Sequence, residues 1–191
     1  HLTPEISPLA RQHWWNKADK KLDVNLWFAP FDLSQEENRA FYRACREDAW
    51  KNLYGRLDRY DGEGFLSEAY HHWQANPQSL AMAMAGSHPS GLLQLDLDRG
   101  AREKKGYISF LYLSPEQRRN GVGVQLIGKS ISVYRPLGRD WLQLSCSEAN
   151  KPALAFYEKY GFRKSSSAPG AYGTLYEMEK YIGYEDQGEL D

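Results

Sequence analysis

The run Arg118-Arg119-Asn120-Gly121-Val122-Gly123 is the part of this 191-residue chain best suited to hold an anion. It follows a β-favouring stretch, Tyr107 to Leu113, and leads into Val124, Ile127, Ile131 and Tyr134 at helical spacing. A helix start presents unpaired backbone N–H groups and the positive end of the helix dipole. Gly121 and Gly123 let an anion approach the backbone. Arg118 and Arg119 add guanidinium groups, which suit phosphate oxygens. The chemistry this turn could do is to cradle a diphosphate. Taken alone, a glycine pair at a helix start is as often a plain cap or close-packing device. No Lys-Ser/Thr pair follows Gly121, which excludes a Walker loop. Leu126 stands where a dinucleotide fingerprint needs its third glycine.

The second chemically suggestive segment is Asn150-Lys151-Pro152-Ala153-Leu154-Ala155-Phe156-Tyr157, ending at Tyr160-Gly161-Phe162. Asn150 is a natural helix cap and Pro152 fits a first turn. Tyr157 shares a helical face with Ala153 and Tyr160, where an aromatic is commonly core. Cys146 has no basic neighbour at a recognisable spacing, so a covalent acyl-enzyme is not indicated. His71 and His72 are adjacent on a helical stretch and face different directions, and no ligand spacing points to a metal.

These groups need a frame, and the pattern supplies one. Val24 to Phe31 reads as a strand. Ser34 with Glu37 forms a capping box before an amphipathic helix carrying Phe41, Ala44, Cys45, Ala49 and Leu53. A shorter helix covers Phe65 to Gln74. Strands at Leu80 to Ala85 and Leu92 to Leu97 flank turn residues Ser87 to Gly91. After the Tyr107 strand and the glycine helix come a strand at Trp141 to Ser145 and a helix from Asn150 to Tyr160. Two strands close the chain, Phe162 to Ser165 and Thr174 to Lys180, around a Ser165-to-Gly170 loop. The order implies an α+β fold with helices on a mainly antiparallel sheet.

Residues 1–21 read as an arm or linker, 22–182 as one domain and 183–191 as an acidic tail that should fray. Hydrophobic residues make up 41% and charged residues 26%, enough for a proper core without staples. The formal net charge of -1 argues against nucleic acid or an anionic membrane as partner. No stretch approaches the ~20 apolar residues of a membrane span. Cys45 and Cys146 form no CxxC pair and read as reduced core thiols of a cytoplasmic protein. A start at His1 is compatible with a processed chain or a piece of a longer one.

Read together, the two segments become specific. Arg118-x-x-Gly121-x-Gly123, preceded by Leu111-Tyr112-Leu113-Ser114-Pro115-Glu116, resembles the coenzyme A loop of the GNAT superfamily of acyltransferases. The Asn150-to-Phe162 segment is similar to that superfamily's second signature. The resemblance implies a splayed cofactor strand whose Leu111 and Leu113 backbone pairs with the pantetheine arm, one N–H polarising the thioester carbonyl. It implies that Arg118, Arg119, Asn120, Gly121, Val122, Gly123 and Val124 hold the pyrophosphate. It also places Asn150 on the pantetheine arm and makes Tyr157 the proton donor to the leaving thiolate. Acetyl-coenzyme A is then the acyl donor, with no metal, and the acceptor a primary amine on a small molecule, peptide or protein. Histone-type relatives carry a Glu where this chain has Tyr107, so no base is assigned; Asp96, Asp98 and Glu148 are the nearest carboxylates by sequence. In this fold the acceptor groove is built from Ser34 to Gln74 and the loop before the last strand, which carry Tyr54, Tyr60, Tyr70, Trp73 and Tyr172. A catalytically silent acyl-coenzyme A sensor or accessory domain of a fusion protein is the alternative, and a homodimer stays open.

Overall fold

A computed structural model describes residues 25–184. The arm at residues 1–21 and residues 185–191 of the acidic tail lie outside the described residues. The elements run β1 (Leu26–Pro30), α1 (Glu36–Tyr54), α2 (Gly62–Ala75), β2 (Leu80–Ala85), β3 (His88–Asp96), β4 (Lys105–Leu113), α3 (Gly123–Tyr134), β5 (Trp141–Ser147), α4 (Lys151–Lys159), β6 (Arg163–Gly170) and β7 (Gly173–Tyr181). This is the order the sequence pattern implies, strand by strand and helix by helix.

The strands form one seven-stranded sheet, β1-β2-β3-β4-β5-β7-β6. Every pair is antiparallel except β4 with β5. Alternation of side chains across the sheet feeds two cores. Leu93, Leu95, Ile108, Leu142, Leu144, Cys146 and Met178 pack under Ile127 and Tyr134 of α3 and Leu154 of α4. On the other face, Leu80 and Leu92 meet Tyr42 and Cys45 of α1 and Leu66 and Ala69 of α2. Both cysteines are buried and free, as core thiols should be.

Three local expectations need correction. Ser34 does not cap α1: Asp32 Oδ1 captures the Ser34 N–H at 2.9 Å and its hydroxyl at 2.6 Å, and Gln35 stands at the cap without a side-chain bond. The Asx turn outcompetes the capping box because Asp32 lies two residues away. The β2–β3 turn sits earlier, at Gly86 with φ +61°, and Pro89 to Gly91 belong to β3. The serine-rich loop after Phe162 is mostly strand: β6 continues to Gly170 and pairs with β7 on both sides of a bulge at Ser165. It is an edge strand, where Pro169 is tolerated.

Candidate active site

β4 and β5 pair over only four register positions, from Lys105 opposite Trp141 to Ile108 opposite Leu144. Beyond these the strands part. Directly at that point β4 carries a bulge. Gln94 faces Phe110 and Leu95 faces Ile108, which leaves Ser109 without a partner on β3. Unpaired backbone on both inner edges opens a cleft of about 240 Å³.

The cleft has two ends of different character. Asn150, Ala153 and Tyr157 of α4 line one side, with Cys146 of β5. Asn150 caps α4 by accepting the Ala153 N–H at 3.2 Å, and Pro152 occupies the first turn, as its sequence suggests. Tyr157 is wedged between the Phe156 and Phe162 rings, centroids 5.4 Å from each. Burial, and then the neighbouring Cys146, push its phenol well above the ordinary range, so the hydroxyl stays protonated. Burial likewise raises the Cys146 thiol to about 11, which removes it as a thiolate nucleophile.

The glycine turn lies at the same side. After Ser114 the chain makes a short turn at Pro115–Gln117, then enters α3. Arg119 with φ +65° and Gly121 with φ +73° fold the backbone back on itself. Gly121 is exposed, and a side chain there would meet nothing within 4 Å, so the backbone is open to a ligand. Gly123, the first residue of α3, is buried against the Phe156 ring. The two signature segments therefore touch. Val122 is buried at the cap, and Asn120 Nδ2 donates to the Glu116 carbonyl at 2.9 Å. Arg118 is tethered: Nε donates to the Leu113 carbonyl at 2.9 Å and Nη2 to Asp48 Oδ2 at 2.8 Å. Tyr112 donates to the same Asp48 oxygen at 2.6 Å. Burial pulls the Asp48 carboxyl upward, but the Tyr112 and Arg118 hydrogen bonds outweigh it and hold it below the usual range. Leu111, Asn150 and Tyr157 line the cleft itself, whereas Leu113 and residues 118–124 are not among its lining residues. An open glycine backbone at a helix start beside a splayed strand fits a diphosphate-bearing cofactor with an extended arm.

The opposite end belongs to α1 and α2. Arg46, Trp50, Tyr54 and Phe65 line it with Ser109, Phe110 and Ser145. Tyr54, Tyr60, Phe65 and Tyr172 surround Trp50, with ring centroids 4.8 to 6.0 Å from it. Tyr172, in the β6–β7 turn, donates to Asp58 at 2.9 Å, and Arg59 donates to the Ala171 carbonyl. This loop-to-hairpin clasp closes the aromatic mouth. Of the aromatics expected around an acceptor, Tyr70 and Trp73 are not in it; they pack on each other.

None of the three sequence-nominated carboxylates lines the cleft. Asp96 accepts the Asp98 and Arg99 N–H groups, Glu148 accepts the Thr174 N–H, and Asp98 lies in the loop after β3. Among the described residues, the lining contains no carboxylate or imidazole. Its acid–base groups are hydroxyls: Ser145 Oγ lies 2.8 Å from the Tyr107 hydroxyl. Sequence reasoning missed Arg46, Trp50, Ser109 and Ser145, because no motif marks them. Among the described residues, no cluster of three or more His, Cys, Asp or Glu is placed to hold a metal, and no helix is long and apolar enough to cross a membrane.

A family model described as the acetyltransferase (GNAT) family matches residues 27–162. Human N-alpha-acetyltransferase 30 is 34% identical over 93 residues, 48% of this chain and 25% of that protein. The chain thus matches about a quarter of that relative's length. Ard1 from Thermoplasma volcanium superposes with a TM-score of 0.66 at 18% identity, over 84% of this chain and 100% of the other. PaiA N-acetyltransferase from Thermoplasma acidophilum, solved in complex with coenzyme A, gives 0.64 at 20% identity, over 83% and 99%.

Proposed function

This chain belongs to the GNAT acetyltransferase family, and from that premise we propose that it moves an acetyl group from acetyl-coenzyme A directly to the α-amino group of a peptide or protein. The observation that carries the reading is the β4–β5 splay, with an anion-binding helix start on one side and an aromatic mouth on the other. Residues 118–124 would hold the pyrophosphate, and Leu111, Leu113 and Asn150 the pantetheine arm. When bound, the cofactor supplies an activated thioester. Backbone N–H groups of β4 beyond the bulge are free of β5 and available to polarise its carbonyl. Tyr157, kept neutral by burial, donates a proton to the departing sulfur.

The lack of a base in the lining supports an α-amine over a lysine. The nucleophile must be neutral. At pH 7.5 an α-amino group of pKa ~7.8 is about one-third neutral, whereas a lysine of pKa ~10.4 is neutral about once in a thousand molecules. A lining that offers hydroxyls such as Ser145, in contact with the Tyr107 hydroxyl, but no carboxylate or imidazole among the described residues suits the first. The likeness to a protein named N-alpha-acetyltransferase 30 points the same way.

A panel of peptides tests this, each with either its N-terminus or its lysine blocked, read by thiol release and by intact peptide mass. Acetylation confined to free N-termini is the expected result. Acetylation confined to lysine overturns it. The same bare lining favours one second reading, a catalytically silent acyl-coenzyme A-binding domain. Tight coenzyme A binding with no thiol release from any amine would select that reading instead.

A further inference from the structure

The α1 wall of the cleft carries two side chains that acyl transfer itself leaves unused. Arg46 and Trp50 stand one helical turn apart, with Cβ atoms about 5–6 Å from each other at such spacing. Both line the cleft. The Arg46 guanidinium lies over the Phe110 and Phe65 rings, 3.9 and 4.4 Å from their centroids. Its Nε donates to the Tyr42 hydroxyl at 2.9 Å and its Nη2 to Gln94 Oε1 at 3.2 Å. Both of those acceptors are neutral.

Among the described residues no carboxylate pairs with Arg46. The ion pairs of α1 join Arg39 and Arg43 to Glu36, Arg43 to Glu63, and Asp48 to Arg118. Glu68 acts electrostatically on Tyr42, and Glu47, Glu63 and Asp61 on Tyr60. A guanidinium carries five N–H donors, so the Nη1 edge still has donors to offer. One turn on, the Trp50 indole nitrogen is buried and has no hydrogen-bond partner. An indole N–H can only donate, and leaving it unmet carries a desolvation penalty. Arg46 and Trp50 therefore present positive charge and donors without an acceptor. The ligand that complements them is rich in oxygen and negatively charged.

We propose that Arg46 receives a carboxylate borne by the acceptor within a few bonds of its reacting amine. This rests on reading the cleft as an acyl-transfer site. The carboxylate has two sources of the same chemistry, an acidic side chain at the start of a peptide or the α-carboxylate of a free amino acid.

The test is calorimetry on the full chain saturated with coenzyme A, using three probes: an N-acetylated peptide beginning with Glu, its Gln-first counterpart, and N-acetylglutamine as the free amino acid. Binding of the Glu-first over the Gln-first peptide by about tenfold or more is expected, falling toward equality in Arg46→Gln and partly retained in Arg46→Lys. Strong binding of N-acetylglutamine would identify the α-carboxylate as the source, with the two peptides then alike; preference for the Glu-first peptide would identify the side chain. Weak binding of all three, or a Glu preference that survives in Arg46→Gln, overturns the assignment and leaves Arg46 a stacking residue between two phenylalanines. Should Arg46→Gln fail to fold, the wild-type Glu/Gln ratio at low and high salt decides: a ratio insensitive to salt counts against an ion pair. Because binding is the readout, a chain that binds the Glu-first peptide but releases no thiol refutes the catalytic reading and not this one.

Discussion

Replacing Gly123 with alanine tests the physical link between the two signature segments. The new Cβ would lie 3.0 Å from Phe156 Cζ and 3.1 Å from Cε2, where ordinary contact begins at 3.4 Å. The ring has little room to yield. It packs edge-on to Tyr157 and Tyr160, with centroids 5.4 and 5.0 Å away, and leans on the α3–α4 core. Overpacking of this kind costs about 1–3 kcal/mol, and the better helix propensity of alanine returns up to about 1 kcal/mol. A net loss of about 1–2 kcal/mol lowers the melting temperature by roughly 3–6 °C in a domain of this size. Coenzyme A affinity should fall too, since the same Cβ crowds the helix start. Thermal melts of wild type, Gly123→Ala, Phe156→Leu and the double variant form the cycle: trimming the ring should relieve most of the alanine penalty. Gly123→Ala melting at or above wild type, or strict additivity in the cycle, would refute the reasoning.

Four further outcomes follow from the site. The pH profile of kcat/KM should rise to the acceptor's own amine pKa, near ~8 for a peptide N-terminus; an inflection near pH 6 that ignores the acceptor would reveal a base absent from the lining. Tyr157→Phe should lower turnover far more than cofactor affinity, and unchanged turnover rejects it as proton donor. Asn150→Ala removes the cap on Ala153 and should cost about 0.5–2 kcal/mol in denaturant unfolding. Asp48, held below its unfolded pKa, contributes stability above that value and loses it as pH falls through the folded one. Asp48 and Arg118 are each over a third exposed, so Asp48→Asn should cost at most about 1 kcal/mol at pH 7, a difference that fades as pH falls through the lowered folded pKa.

The order of elements was legible because each has a strong local signature. Tyr107 to Leu113 is a run of β-favouring or small residues, the glycine turn precedes a helical stripe, and Asn150 with Pro152 announces a helix start. One miss was local, and the rest were set by non-local contact. Ser34 lost its capping role to Asp32 through a turn of comparable strength. The Ser165-to-Gly170 run looks like loop until β7 is present to pair with it. Of the nominated residues, Leu111, Asn150 and Tyr157 line the cleft. At its other end, Arg46 and Trp50 lie beside the apolar stripe of α1 and gain meaning only when α1 is laid across β4. Ser145 becomes a neighbour of Tyr107 only through the parallel register of two strands distant in sequence.

That parallel register has a mechanical side. The sheet is two antiparallel blocks, β1 to β4 and β5 to β7, joined through four residue pairs. The seam is short, and it ends where the cleft begins. A molecule lodged in the gap and touching both lips acts as a rivet, and its binding energy is added to the cohesion of the blocks by linkage. Amide protons of β4 beyond Ile108 and of β5 beyond Leu144 should thus exchange slowly only in the loaded protein, and coenzyme A would govern how long the chain survives as well as what it can transfer.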